Sequence, residues 1–234
     1  MDDSCGGFAV FETLMRKLRR RRMIRLKAFG QLGENTLQVS VGDLSASMAD
    51  RLAYHFHGVN AVEVLHGNLL DLDCQAIVSP ANSFGDMGGG IDKAIDDFHS
   101  GEAQRQVMAG IRENFFGELP VGAALLVELP TKRFSFVVAA PTMRIPGSVE
   151  GTLNAYLSMR AALVAILRHN ATGRAPIRSL AIPGLGTGVG GMDHNEAAMQ
   201  MRVAYDNVVG GGWHEIVHPV QAPFAFGNKR LTKS

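Results

Sequence analysis

The sequence predicts an α/β layered fold on a mostly parallel sheet. Two observations carry this. Short apolar or alternating segments of strand type take turns along the chain with longer segments of helical period. Two of the strand-like segments also run straight into glycine-rich loops, at 79–92 and 183–191. Parallel sheets bind ligands outside the carboxyl ends of their strands.

The elements follow in order. Residues 37–41 (LQVSV) alternate as a strand does. Ser45 is placed to cap a helix over 46–57, with Met48, Leu52 and Phe56 on one face. A second strand at 62–65 is broken by Gly67-Asn68. The third, at 74–78, is nearly all apolar, as in a sheet covered on both faces. Helices are expected at 91–98 and 102–116, the latter ended near Gly117 and Pro120. Strands at 123–128 and 134–140 flank a turn at Pro130-Thr131. Thr152 is placed to cap a long helix reaching His169. A strand at 178–182 and a helix over 194–208 complete the pattern, and the signal fades after Gly212. No internal repeat is visible.

The chain of 234 residues has room for a sizeable core, and 46% hydrophobic with 19% charged residues is an ordinary globular composition. Net charge is +1 but uneven. The segment RKLRRRRMIRLK, beginning at Arg16 and ending at Lys27, holds eight basic residues. From residue 28 onward, 15 basic residues face 19 acidic ones. The run reads as a solvated tail or as a contact for nucleic acid or another anionic surface. No aromatics interleave with the arginines, which argues against single-strand binding. Residues 1–35 are thus expected to be a flexible basic extension, and 36–234 one domain. No apolar segment follows the arginines as a secretory signal requires, and Asp2, Asp3 and Glu12 do not suit a transit peptide. No run approaches the ~18 apolar residues of a membrane span. With only Cys5 and Cys74, no disulfide framework is expected and a cytoplasmic location is the default. Cys74 reads as a small residue beside a strand rather than a nucleophile. Neither His55 with His57 nor His214 with His218 suggests a metal site, since Gly212 and Pro219 oppose a helix around the second pair. Ser83 lies in no nucleophile elbow.

The two glycine loops carry the chemistry. Backbone N–H groups between a strand and a helix point at the helix N-terminus, where they and the dipole favour an anion. Neither loop ends in Gly-Lys-Ser/Thr, so neither is a phosphate loop of the nucleotide triphosphatases. Two separated loops, each able to hold a phosphate, suit a diphosphate lying across a sheet edge. Taken singly, Asn82 reads as a turn-closing amide and Asp92 as a first-turn acid. Taken together beside such a loop, they suit a sugar, whose hydroxyls an amide and a carboxylate both address.

At this point the sequence resembles the macro domains, which bind ADP-ribose. The family pattern is a Gly-Asp-Ile turn, then Asp-Ala-Ile-Val-Asn-x-Ala-Asn, a glycine run, Val-Asp and a helix. Here Gly67-Asn68-Leu69 stands at the turn, and CQAIVSPANSFGDMGGGIDKAI (74–95) follows. A second family signature, a Ser-Thr-Gly-type loop, is met by PGLGTGVGG (183–191). The resemblance covers roughly 60–208 and implies a three-layer α/β/α fold with a central mixed, mostly parallel sheet.

It also implies roles. Asn68 and Leu69 would sit by the adenine. Gly88, Gly89 and Gly90, with Ala81 and Ile91, would approach the diphosphate and distal ribose. Gly186, Thr187, Gly188, Val189 and Gly190 would close from the other side. Asn82 would hold a distal ribose hydroxyl, and Asp92 would orient a water or the ribose in members that hydrolyse ADP-ribosyl linkages. No cofactor is implied beyond ADP-ribose itself as ligand. Three positions depart from the pattern: Asn68 replaces an Asp, Ser79 replaces the first Asn of the doublet, and Gly190 stands where many hydrolases carry an aromatic. Asp86 matches no position that does chemistry. Tyr205, Phe224 and Phe226 are candidate adenine stackers, and Arg144 is a candidate to reach the site. Three functions follow: a hydrolase of a mono-ADP-ribosyl-protein or O-acetyl-ADP-ribose type linkage, a non-catalytic reader of ADP-ribose or ADP-ribosylated macromolecules, and a nucleic-acid-associated binding module.

Overall fold

A computed structural model of the chain describes residues 36–225. The basic run 16–27, Cys5 and Phe226 lie outside the described residues. In chain order the described elements are β1 (Gln38–Asp43), α1 (Ala46–His55), β2 (Val62–His66), β3 (Ala76–Ser79), α2 (Gly90–Phe98), α3 (Glu102–Phe115), β4 (Leu125–Glu128), β5 (Phe136–Ala139), α4 (Asn154–Asn170), β6 (Ser179–Pro183) and α5 (His194–Val208).

The six strands form one sheet in the order β2-β1-β6-β3-β5-β4. Every neighbouring pair is parallel except β4 with β5. The exception has a simple cause. The link from β4 to β5 spans only residues 129–135 and turns directly back, whereas the parallel neighbours β1 and β2 are joined through α1. The ladder between β3 and β6 is brief: Ala76 pairs with Leu180 and Ile77 with Ala181. There the two strands part, two residues before either ends. Meanwhile β6 stays paired with β1 as far as Pro183, and β3 with β5 as far as Ser79.

Side chains alternate across this sheet, so each central strand feeds two cores. Val39, Val41, Ala76, Val78, Val138, Leu180 and Ile182 pack with α1, α4 and α5. Ile77, Val137, Ala139 and Ala181 pack with α2 and α3. The result is the three-layer α/β/α arrangement, and it explains why 76–79 is buried at every position. No helix among the described residues is long and apolar enough to cross a membrane.

The helix starts differ in a way that bears on function. Ser45 caps α1 by accepting from the Met48 N–H, and Asp193 caps α5 by accepting from the Glu196 N–H. Thr152 sits one residue outside the expected place: Leu153 is the cap of α4, while the Thr152 hydroxyl accepts from Asn154 N–H at 3.3 Å and donates to the Val149 carbonyl at 2.7 Å. By contrast, α2 begins after Gly89 with no side-chain cap. After α5 the described residues make only two short 3₁₀ turns, Gly212–Glu215 and Pro219–Gln221, so His214 and His218 share no α-helical face.

Cys74 is buried, and loss of hydration pushes its thiol up to about 11, which leaves it protonated at neutral pH. His99, just past the end of α2, is 5% exposed, and neither ring nitrogen has a hydrogen-bond partner among the described residues. Burial lowers its pKa, partly opposed by the Asp96 carboxylate. The unfolded chain therefore binds a proton more readily than the native one below the ordinary histidine value of 6.5. His99 should thus cost no stability above that value and destabilise the fold increasingly as pH falls below it. Urea midpoints at pH 7.5 and 5.5 should fall further for the wild type than for His99→Leu; equal falls would show that the ring is not the source.

Candidate functional site

Beyond the point where β3 and β6 part, the sheet opens into a cleft of about 800 Å³. A volume of this order suits a drug-sized or nucleotide-sized ligand. The loops after β1, β3, β5 and β6 form its walls, with the Gly67–Leu69 turn after β2 at one end. The fourteen residues to which the resemblance gives a part line it: Asn68, Leu69, Ala81, Asn82, Gly88, Gly89, Gly90, Ile91, Asp92, Gly186, Thr187, Gly188, Val189 and Gly190.

The first glycine loop is flexible in composition but tied down in place. The Ser83 N–H donates to the carbonyls of Met143 and Arg144, and the Leu119 N–H donates to the Ser83 carbonyl. Met87 is 1% exposed, and its N–H donates to Gln104 Oε1 at 2.7 Å. Gly90 needs its missing side chain, since it turns into α2 at φ +56°. Gly90, Ile91 and Asp92, the first residues of this uncapped helix, line the cleft.

Asn82 braces this loop. Its Oδ1 accepts from the N–H of Phe84 at 3.0 Å and of Asp86 at 3.4 Å, and its Nδ2 donates to the Asp86 carbonyl at 3.3 Å. Asn68 does the same for its own turn, accepting from the Leu70 N–H and donating to Asp71 Oδ1. Asp92 is different. Its Oδ1 accepts a 2.7 Å hydrogen bond from the hydroxyl of Ser79, which is fully buried at the end of β3. Loss of water around Asp92 pushes its carboxyl up to about 7; the Ser79 hydrogen bond pulls it down, and the Asp86 charge pushes it up.

The family model for the Macro domain matches residues 78–201. The chain belongs to the macro domain family. It is 33% identical to an uncharacterized protein of Aquifex aeolicus over 140 residues, 60% of this chain and 78% of the other. It is 31% identical to one from Aeropyrum pernix over 156 residues, 67% and 76% of the two. Among solved structures, a mutant Oceanobacillus iheyensis macrodomain is similar at a TM-score of 0.52 and 18% identity, with 80% of each chain covered. The Trypanosoma brucei macrodomain in complex with ADP-ribose is similar at 0.47 and 21%, covering 62% of this chain and 57% of that one.

Within this macro domain several expected neighbours of the cleft are elsewhere. Tyr205 is 5% exposed in the core, edge-on to Phe56 at 6.0 Å. Phe224 is buried against Tyr156 at 5.3 Å. Arg144 is held by Glu118 through two hydrogen bonds, at 2.6 and 2.9 Å, and lies over Phe84. None of the three lines the cleft, because packing or an ion pair has already taken each.

Conversely, Asp86, set aside on the sequence because it matches no position that does chemistry, lines the cleft and accepts from the Gly88 N–H at 3.0 Å. Nothing in the sequence pointed to Asp43, Leu44 and Ser45 at the end of β1 and just after it, Thr142 and Met143 after β5, or His194 at the start of α5 as lining residues. For the residues after β1 and β5 the signal was positional: these two strands flank the two glycine-loop strands.

Gly190 is not a vacant aromatic position. A Cβ there would stand 2.5 Å from the Gly186 carbonyl oxygen and 2.6 Å from Val149 Cγ2, so backbone itself occupies the space. The neighbouring Val189 is the residue that projects, at 72% exposed. Gly190→Ala should therefore force the loop to move and cost about 1–3 kcal/mol, read as a lower urea midpoint; an unchanged midpoint would count against this packing.

The raised carboxyl of Asp92 also has a stability consequence. Between the ordinary value of 3.8 and about 7 the native state holds a proton that the unfolded state releases. Stability attributable to this group thus falls with rising pH, and the full cost is present above about 7. Asp92→Asn should melt higher than wild type at pH 8, with the gap closing toward pH 4.

Proposed function

We propose that the cleft binds ADP-ribose and that Asp92 supports hydrolysis of an ADP-ribosyl linkage, of the mono-ADP-ribosyl-protein or O-acetyl-ADP-ribose type. One observation carries the reading. The two glycine loops stand on opposite sides of the fork between β3 and β6, and a carboxyl with its pKa raised to about 7 stands where the first of them enters α2.

The diphosphate would meet bare backbone on both sides: the uncapped start of α2 from one loop and the 186–190 turn from the other. Unpaired N–H groups at a helix start favour such an anion. The base would lie toward Asn68, Leu69 and Leu44, where an apolar surface is available. Asp92 would then face the distal ribose. A general base works best with a pKa near the working pH. Ionised, Asp92 would take a proton from a water whose oxygen bonds to the attacked carbon as the bond to the leaving oxygen breaks.

A second reading, binding without turnover, is favoured by Asn82. Its amide already holds three loop partners and has little left to grip a sugar.

Calorimetry with ADP-ribose, followed by release assays on acid-linked and serine-linked substrates, separates the readings. Asp92→Asn should keep binding and lose on the order of 10²-fold or more in turnover. Wild-type turnover should rise with pH through about 7 as the base form appears. Micromolar binding without wild-type turnover would leave only the reader, and no binding would remove both.

A further inference from the structure

Ser79 is one of the three departures from the family pattern, and the structure gives its hydroxyl a use. It is the last residue of β3, just past the point where β3 and β6 separate. The residue is 0% exposed, and a buried hydroxyl without a partner would be costly. Its Oγ donates to Asp92 Oδ1 at 2.7 Å across thirteen residues of chain. Asp92 lies in the first turn of α2, whose face is anchored by fully buried Ile95. Strand and helix are thus both fixed, and the hydroxyl bridges them from behind Asp92, which lines the cleft.

We propose that Ser79 is a positioning residue of this site, holding the Asp92 carboxylate in the orientation that faces the cleft. The proposal rests on the reading of Asp92 as the working carboxylate, but the contact itself does not need a ligand.

The other charges near Asp92 leave this role to Ser79. Lys93 is the adjacent residue on α2, turned about 100° away along the helix and paired with Asp97 at 2.7 Å. Asp96 accepts from the Gln104 N–H at 2.8 Å. Asp86, on the loop, adds a like charge that disfavours the ionised form. Among the described residues the Ser79 hydroxyl is the group that favours it. A donor to a charged acceptor holds both its geometry and its proton balance.

The test is a carboxyl-carbon NMR titration of Asp92 in the ligand-free full chain, for wild type, Ser79→Ala and Ser79→Cys. Ser79→Ala removes a single oxygen and leaves the packing of β3 in place. A lost hydrogen bond to a charged group corresponds to an upward shift of about one to two pH units. The cysteine variant, of nearly equal shape but a weaker donor, should shift by less. In turnover assays the acid limb of the pH profile should move by the same amount, with KM for the ADP-ribosyl substrate little changed. An Asp92 midpoint unmoved in Ser79→Ala would overturn the proposal. A shifted midpoint in a protein that fails to bind ADP-ribose would uphold the positioning and overturn only the functional reading.

Discussion

Between β3 and β6 the backbone ladder ends after two residue pairs, while each strand stays paired on its other side. The rest of the site depends on this parting. It lets the ends of two adjacent parallel strands diverge without freeing either one. Pro183, last in β6, has no N–H to offer any neighbour. The loops that leave the two strands must therefore face each other across a gap, and the loops after β1 and β5 close its ends.

Four glycines within 79–92 carry a large entropic cost of ordering. Packing and hydrogen bonds oppose it at spaced points: Ser83 to the loop after β5, Met87 to Gln104, and Asn82 to its own turn. Between those points the backbone stays bare and close to the cleft. The second loop uses the same device, with Leu185 fully buried, the Met192 N–H on the Gly186 carbonyl and the Val149 N–H on the Gly190 carbonyl. A surface that must present N–H groups to an anion is best built this way, since each added side chain would stand between donor and ligand.

Asp92 shows the opposite economy. Its environment disfavours the charge it carries, so at neutral pH it weakens the fold that holds it. Perturbed carboxyls of this kind cluster at functional sites. The buried hydroxyl of Ser79 limits the penalty and gives the carboxylate a direction. Loss of water dominates in the upward direction, and the like charge of Asp86 adds a smaller push the same way.

The sequence by itself determined the alternation of strands and helices, and the bounds of α5 and the start of α1 agree with it to the residue. Both are local properties: period, capping by Ser45, and breaks at glycine. The glycine loops, as contiguous motifs at strand ends, were legible too, and the structure brings both to one cleft. Only tertiary structure decided the strand order, and with it the place of Asp43, Leu44, Thr142 and Met143, which reach the cleft from the ends of β1 and β5. Tyr205, Phe224 and Arg144 were misplaced for the same reason. Whether an aromatic ring meets a ligand or a core depends on which helix packs beside it, and that is not written in its neighbours along the chain. Ser79 looked like a loss when read against a pattern. Folding turned it toward Asp92, thirteen residues away, at 2.7 Å.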